Sequence, residues 1–386
     1  MDRSASRQVG RSFGNNGAVS PLGEVAALFL RLGTTAFGGP AAHIAMMEDE
    51  VVARRKWLTR EDFLDLVGAT NLIPGPNSTE LAIHIGYRHA GWLGLLVAGA
   101  CFILPAALMV TALAWAYVRY GMLPEVDAVL RGVKPVVIAI VVLALWRLAL
   151  TAVKTPLLGF LGAACATGVL LGIHELAVLA AAGTLMALTR IRHVPPAAAW
   201  LPLVPLGPVA AASAFSFGGM FLTFLKIGSV LFGSGYVLFA FLRADFVERL
   251  HWITETQLID AIAVGQITPG PLFTAATFIG YLLGGVGGAA VATLGIFLPA
   301  FLFVAVSGPL VPWLRRNAAA SAFLDGINVA SLALMAVVAF QLGRASIIDL
   351  PTIVIAGAAA IALHFKVSSL WLVLAGALAG LALAWL

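Results

Sequence analysis

Pro-Gly-Pro stands twice inside apolar sequence, at Pro74-Gly75-Pro76 and Pro269-Gly270-Pro271, and a threonine follows each copy, Thr79 or Thr274. Proline removes a backbone donor and clashes with the preceding turn, and glycine adds freedom, so no helix runs straight through either triplet. Of 386 residues, 61% are hydrophobic and 11% charged, against about 25% charged in an average soluble domain. Stretches of roughly 20 apolar residues recur from near Leu22 to Leu386, each long enough to cross a hydrocarbon core about 30 Å thick as a helix. Strand-period alternation is absent, which argues against a barrel. In lipid, backbone groups freed at a break must find partners in protein, water or cargo, so paired breaks in a helical membrane chain point to a transport centre.

The triplets belong to a duplicated unit. Phe29-Leu30-Arg31-Leu32-Gly33 matches Phe224-Leu225-Lys226-Ile227-Gly228, an offset of 195 from 29 to 224. The same register carries Glu50 onto Asp245, Trp57 onto Trp252, Thr59 onto Thr254, Asp65 onto Asp260 and the first triplet onto the second. One residue is lost after the triplet; Gly86-Tyr87, Pro105-Ala106 and Leu130-Arg131-Gly132-Val133 then match Gly280-Tyr281, Pro299-Ala300 and Leu324-Asp325-Gly326-Ile327 at 194. Each half reads as an apolar helix (22–39; 216–235), an amphipathic charged stretch (43–65; 239–257), a broken segment, a long helix (91–118; 284–309) and a tail of two or three helices. The expectation is an all-α polytopic membrane protein with two homologous transmembrane halves: a polar tail at 1–20, repeats at 21–190 and 216–386, and a Pro-rich linker at 191–215. Inverted repeats are the commoner way to build alternating access from broken helices, so the halves are expected to be inverted.

The tail carries Arg3, Arg7 and Arg11 without the apolar core of a cleaved signal peptide, and reads as cytoplasmic. The net charge of +5 is scattered over loops and helix ends, a membrane-orientation pattern rather than a nucleic-acid face. Cys101 and Cys165 lie far apart in apolar sequence, and no ligand spacing for a metal or motif for an organic cofactor occurs. No cofactor and no metal are expected, and an enzyme is not. The partners expected are an anion and membrane lipid; a homo-oligomer stays open.

Arg31 lies midway along the first apolar helix and Lys226 takes the same place in the second. Burying either costs about 2.5–3.5 kcal/mol on insertion scales. They read as cations facing an anion, or alternatively as groups snorkelling or paired with a carboxylate. At the first break Asn71, Asn77, Ser78 and Thr79 supply hydrogen-bonding side chains, and at the second Thr268 and Thr274 do. Asn77 or Ser78 is expected to cap the helix that restarts after the break, whose first amides form an anion seat. Pro74, Gly75, Pro76 and Gly270 shape that seat. Glu80, with Ala275 opposite, is a proton-coupling candidate, or a partner of Arg31 or Arg88. His43 and His84 read as satisfied polar residues, Glu48 to Lys56 as a solvated interfacial face, and Asp65 and Asp260 as salt bridges or gates.

Taken together, these segments resemble the chromate ion transporter family in its long, two-domain form. The resemblance is carried by Phe37-Gly38-Gly39-Pro40, His43, Glu50, Trp57-Leu58, Asn71 to Glu80 and Ile85-Gly86-Tyr87. In the second half Phe232 to Val237, Trp252-Ile253, Gln266 to Thr274 and Phe278 to Tyr281 carry it; Ser234 departs from an expected glycine. The resemblance implies proton-gradient-linked export of chromate across the bacterial inner membrane, conferring resistance, with halves of opposite orientation. Sulfate, of nearly the same shape and charge, is the alternative cargo, and an anion channel the alternative device.

Overall fold

The computed structural model describes residues 20–121, 123–190, 214–232, 235–365 and 367–385. Nearly all of the polar tail and of the expected linker, and Ser234, lie outside them. The first half runs α1 (Pro21–Thr35), α2 (Pro40–Glu48) continuing into a π-helical turn (Asp49–Arg54), and α3 (Arg60–Thr70), which leads into the first triplet. It continues with α4 (Asn77–Tyr120), α5 (Pro124–Ala152), α6 (Pro156–Leu170) and α7 (Glu175–Leu188). The second half repeats the order: α8 (Phe217–Val230), a short α9 (Leu238–Leu242) with its π-helical turn (Arg243–Arg249), α10 (Glu255–Ile267) and the second triplet. Then come α11 (Ala275–Arg316), α12 (Ala318–Ser346), α13 (Leu350–His364) and α14 (Ser369–Ala384).

Matched residues explain matched turns. Thr59 and Thr254 each cap the next helix, accepting from the amides of Asp62 and Gln257. Lys56 and His251, 195 apart, both sit at positive φ, where the chain doubles back from the π turn into α3 or α10. The charged stretch is therefore not one amphipathic helix on a solvated face. Its π turn buries Glu50 and Val51 in the first half, Asp245 and Phe246 in the second.

The 44-residue α4 and 42-residue α11 also fold back. Backbone angles leave the helical region at Ala90-Gly91 and at Gly284-Gly285, with φ of 64° and 60° at Gly91 and Gly285, a left-handed conformation that favours glycine. Thr277 and Thr293 share a hydrogen bond of 2.8 Å; sixteen residues apart in a straight helix they would be about 24 Å apart. Gly86 lies against Gly94 and Gly280 against Gly288, so closely that neither pair has room for a side chain. Each long segment is thus a tight helical hairpin, with a short arm after the triplet (α4a, 77–89; α11a, 275–283) and a long returning arm (α4b, 92–120; α11b, 286–316).

The halves exchange helices. α5 packs on α13 and α14, α12 packs on α6 and α7, and α5 and α12 touch each other. The seams use equivalent small residues: Gly132 lies against the backbone of Gly376 and Gly380, and Gly326 against Ala182 and Gly183, the close approach that holds helices together where no hydrophobic force separates lipid from protein. Ion pairs repeat the exchange with reversed polarity. Arg131 of α5 pairs with Asp349 at the start of α13, and Asp325 of α12 with Lys154 before α6. Large apolar side chains, among them Leu108, Trp146, Phe160 and Leu171, cover the exterior. Asn77–Tyr120, Pro124–Ala152, Leu272–Gly308 and Ala318–Ser346 are long and apolar enough to cross a membrane. The architecture is that of an all-α, multi-pass membrane protein.

Candidate functional site

Each triplet is held by the opposite half. Flanking prolines carry no N–H, so the central glycine supplies the donor between them. The Gly75 N–H donates to the Leu231 carbonyl (2.8 Å) and the Gly270 N–H to the Ala36 carbonyl (2.9 Å). Leu231 and Ala36 cap the C-termini of α8 and α1 and are themselves 195 apart. On the other side Gly75 faces Ala300 of α11b and Gly270 faces Ala106 of α4b. This i-to-j, j-to-i reciprocity is the mark of a local two-fold axis, and it puts both breaks at one junction. Gly33 and Gly228 let α1 and α8 close onto the backbones of α4b and α11b.

Around the first break the polar side chains engage one another. Asn77 donates to the Asn71 side chain at 2.7 Å. Ser78 lies 3.4 Å from His43 Nδ1, and His43 Nε2 lies 3.0 Å from the Ala36 carbonyl, the same oxygen that holds Gly270. A carbonyl only accepts, so Nε2 carries the proton and, in the neutral ring, Nδ1 accepts from the Ser78 hydroxyl. Neither Asn77 nor Ser78 caps the restarting helix. Pro76 takes the cap position and no side chain bonds the first turn, which leaves its leading amides open as helix geometry dictates.

Glu80 is fully buried and neither carboxyl oxygen has a hydrogen-bond partner. Its carboxyl occupies the space that a side chain on Gly75 would need. The Thr79 hydroxyl and, one turn beyond Glu80, His84 Nε2 are also buried without partners. At the second break the hydroxyls are turned onto local backbone: Thr268 bonds the Val264 carbonyl at 3.0 Å and Thr274 the Pro271 carbonyl at 2.8 Å. In the register of the repeat, Phe273 stands for Ser78, Leu238 for His43 and Ala275 for Glu80.

Arg31 and Lys226 each have a carboxylate, the alternative their sequence setting had left open. Arg31 meets Glu50 at 2.5 Å, and Arg54 and Arg55 converge on the same carboxylate; Lys226 meets Asp245 at 2.5 Å, joined by Arg249. The pairs tie α1 and α8 to the π turns of their own halves. Asp260 is buried, 3.1 Å from Lys134, and accepts from Tyr117 at 2.9 Å, a salt bridge that reaches across the halves; Asp65, its equivalent, lies at the surface. At the first break a cavity of about 260 Å³ is bordered by Asn71, Asn328, Ser331 and the Lys154–Asp325 pair. Asn328 stands 194 residues from Lys134, so the position that seals one side of the axis opens onto a cavity on the other. The cross-half partners Ala36, Leu231, Ala106 and Ala300 escaped the sequence reading; for the first two the constant 195-residue offset was the only available signal.

Comparison with known proteins fits this architecture. The model of the family described as "Chromate transporter" matches residues 23–188 and again residues 218–381. The chain belongs to the chromate transporter family. It is 36% identical over 371 residues to the chromate transport protein of Cupriavidus metallidurans, covering 92% of this chain and 91% of that one. The probable chromate transport protein of Synechococcus elongatus is 33% identical over 348 residues, covering 86% and 88%, and the chromate transport protein of Pseudomonas aeruginosa 31% over 349 residues, covering 85% and 83%. An uncharacterized transporter of Bacillus subtilis, YwrA, matches 34% of this chain over 74% of its own length. No solved structure matches. These relatives carry names of transport proteins, not of enzymes.

Proposed function

We propose that the protein is a carrier that exports chromate from the cytoplasm across the bacterial inner membrane and so confers chromate resistance, with the local axis lying in the membrane plane and the halves inverted. The observation that carries the reading is the reciprocal docking of the two breaks, with the buried, unpartnered Glu80 and Thr79 at the first. The amides directly after each triplet, those of Asn77 and Ser78 and of Leu272 and Phe273, with the side chains of Asn71, Asn77, Ser78, Thr79, Thr268 and Thr274, would hold the oxyanion against the backbone of Pro74-Gly75-Pro76 and Gly270. Arg31 and Lys226 would contribute field from their paired positions.

Glu80 sets the coupling. An ionised carboxylate repels a dianion and a protonated one does not, so anion binding and a proton on Glu80 favour each other. Moving two negative charges out of an inside-negative cell gains about 4.6 kcal/mol per 100 mV, and one accompanying proton halves that to about 2.3. Export stays downhill in potential either way. Uptake of labelled chromate into inverted vesicles tests this, with sulfate as competitor. Collapse of the potential alone stops uptake; collapse of the pH gradient alone changes its rate in the wild type and leaves a Glu80→Gln variant unaffected. Absence of potential-driven chromate uptake overturns the reading, and a Glu80→Gln variant with full pH-gradient dependence removes the proton role.

A further inference from the structure

The duplication built one cavity twice, and the copies have opposite electrostatics. A cavity of about 490 Å³ lies between α5 and the α13–α14 turn, and one of about 280 Å³ between α12 and the α6–α7 turn. Their walls correspond at the 194 offset: Arg147 with Gln341, Ser368 with His174, Ser369 with Glu175. In the smaller copy every cation is compensated, Arg243 by Glu248 and Glu255, Arg249 by Asp245. His174 there is turned onto its own helix, capping α7.

In the larger copy Arg147 is the only charged side chain among the described lining residues, and no acid faces it. Ser368, the N-cap of α14, makes no side-chain cap bond. Tyr236 closes the inner wall, its ring within the field of Arg147 and beside Gln266. Gln266 is 6% exposed and its amide sits against the Tyr236 hydroxyl. Gln266 lies three residues before the second triplet, and Gly38 of the cavity wall follows, two residues on, the Ala36 that holds Gly270. The volume far exceeds the roughly 30 Å³ share of one water, so an oxyanion fits with part of its hydration shell.

We propose that the Arg147 cavity is a loading site for a free tetrahedral oxyanion dianion, which waits there between Arg147, Tyr236 and the α14 N-terminus before it reaches the junction at the second triplet. The inference rests on the oxyanion-carrier reading above. A lipid phosphate headgroup shares the chemistry, and protection by free oxyanion against protection by phosphatidylglycerol separates the two sources.

Two measurements on the full chain test it. In neutral-lipid nanodiscs, phenylglyoxal modifies Arg147, read by peptide mass spectrometry, and chromate or sulfate suppresses that adduct while chloride does not. Protection by phosphatidylglycerol but not by free oxyanion, or no protection, overturns the proposal. In vesicles, Arg147→Gln, which copies Gln341 of the smaller cavity, raises the KM for chromate about tenfold at an unchanged saturating rate, the size of one charge-assisted contact; Arg147→Lys recovers part of it. An unchanged KM in Arg147→Gln overturns the proposal, and should that variant fail to insert, Tyr236→Phe and Arg147→Lys are held to the same KM criterion. Protection without any chromate transport leaves the site standing and removes the carrier reading; transport without protection does the reverse.

Discussion

Around the first triplet the frame holds His43, Ser78 and Glu80; around the second the same places hold Leu238, Phe273 and Ala275. The backbone differs far less. Both glycines bond across the axis, both halves turn back at left-handed residues, and both π turns carry an acid for the cation of the preceding long helix, α1 or α8. The hydrogen-bonded pair His43–Ser78 has become an apolar pair, Leu238 and Phe273, so the two positions changed together where one polar member left alone would have lost its partner. Both copies build the frame, and the first alone carries these three polar side chains.

The largest expected effect separates the two anchoring pairs. Lys226→Ala leaves the fully buried Asp245 with Arg249 alone and costs about 3–5 kcal/mol, the range for breaking a buried pair. Arg31→Ala costs about 1 kcal/mol or less, because Arg31 is half exposed and Glu50 keeps Arg54 and Arg55. Unfolding in detergent, followed by tryptophan fluorescence, measures the gap; equal losses would show that the two clusters are equivalent after all.

Next comes the contrast at the breaks themselves. Glu80→Gln abolishes the dependence of chromate flux on the pH gradient, while Ala275→Ser at the matching place keeps that dependence and changes the flux less than about twofold, its hydroxyl bonding back to the helix. Flux in vesicles with quantified insertion decides it. The triplet glycines then divide stability from activity. Both sit at positive φ, +88° at Gly270 and +137° at Gly75, so either alanine strains the backbone; at Gly270 the methyl also meets the Ala106 methyl, which cannot move without α4b, for a further loss of about 1–3 kcal/mol. A methyl on Gly75 meets the end of the Glu80 side chain instead, so Gly75→Ala is expected to lose more flux and less stability than Gly270→Ala.

The smallest effect lies at the exchanged ion pairs. Bonds from the Thr352 amide and the Arg131 guanidinium hold the Asp349 carboxyl down at about 2, from an ordinary 3.8. A depressed folded value contributes stability that is complete above the ordinary value and is lost as pH falls toward about 2. An acid titration of unfolding should show that contribution disappear between those values, and Asp349→Asn should lack the step.

Breaks, repeat register and the restart of a helix near 91 and 284 were legible in the sequence because proline, glycine and retained motifs act locally. The reversal at Gly91 and Gly285 was not, since a glycine that ends a helix does not say where the chain goes next. The capping role expected of Asn77 or Ser78 failed because Pro76 already takes the cap position and the two side chains find partners, Asn71 and His43, from elements the pattern does not place beside them. Arg31 and Lys226 could be seen to need partners, and Glu50 and Asp245 to be retained acids; joining them took the fold of the π turn. The helix exchange is hidden in principle, because in a tandem duplication every contact within a repeat has an equivalent between repeats. Arg147, with Gln341 as its mate, carried no repeated signal at all.

That exchange has a consequence in time. The Arg131–Asp349 pair spans 218 residues of sequence, which a ribosome working at about 5–20 residues per second takes roughly 10–40 s to make. For that interval α5 is in the membrane with its glycine seam and its arginine uncovered, and the helices that will cover them do not yet exist. The first half is thus an intermediate that insertion factors, lipid or another copy of the chain must shield during synthesis, and slowed translation between α7 and α13 should raise its capture by membrane proteases.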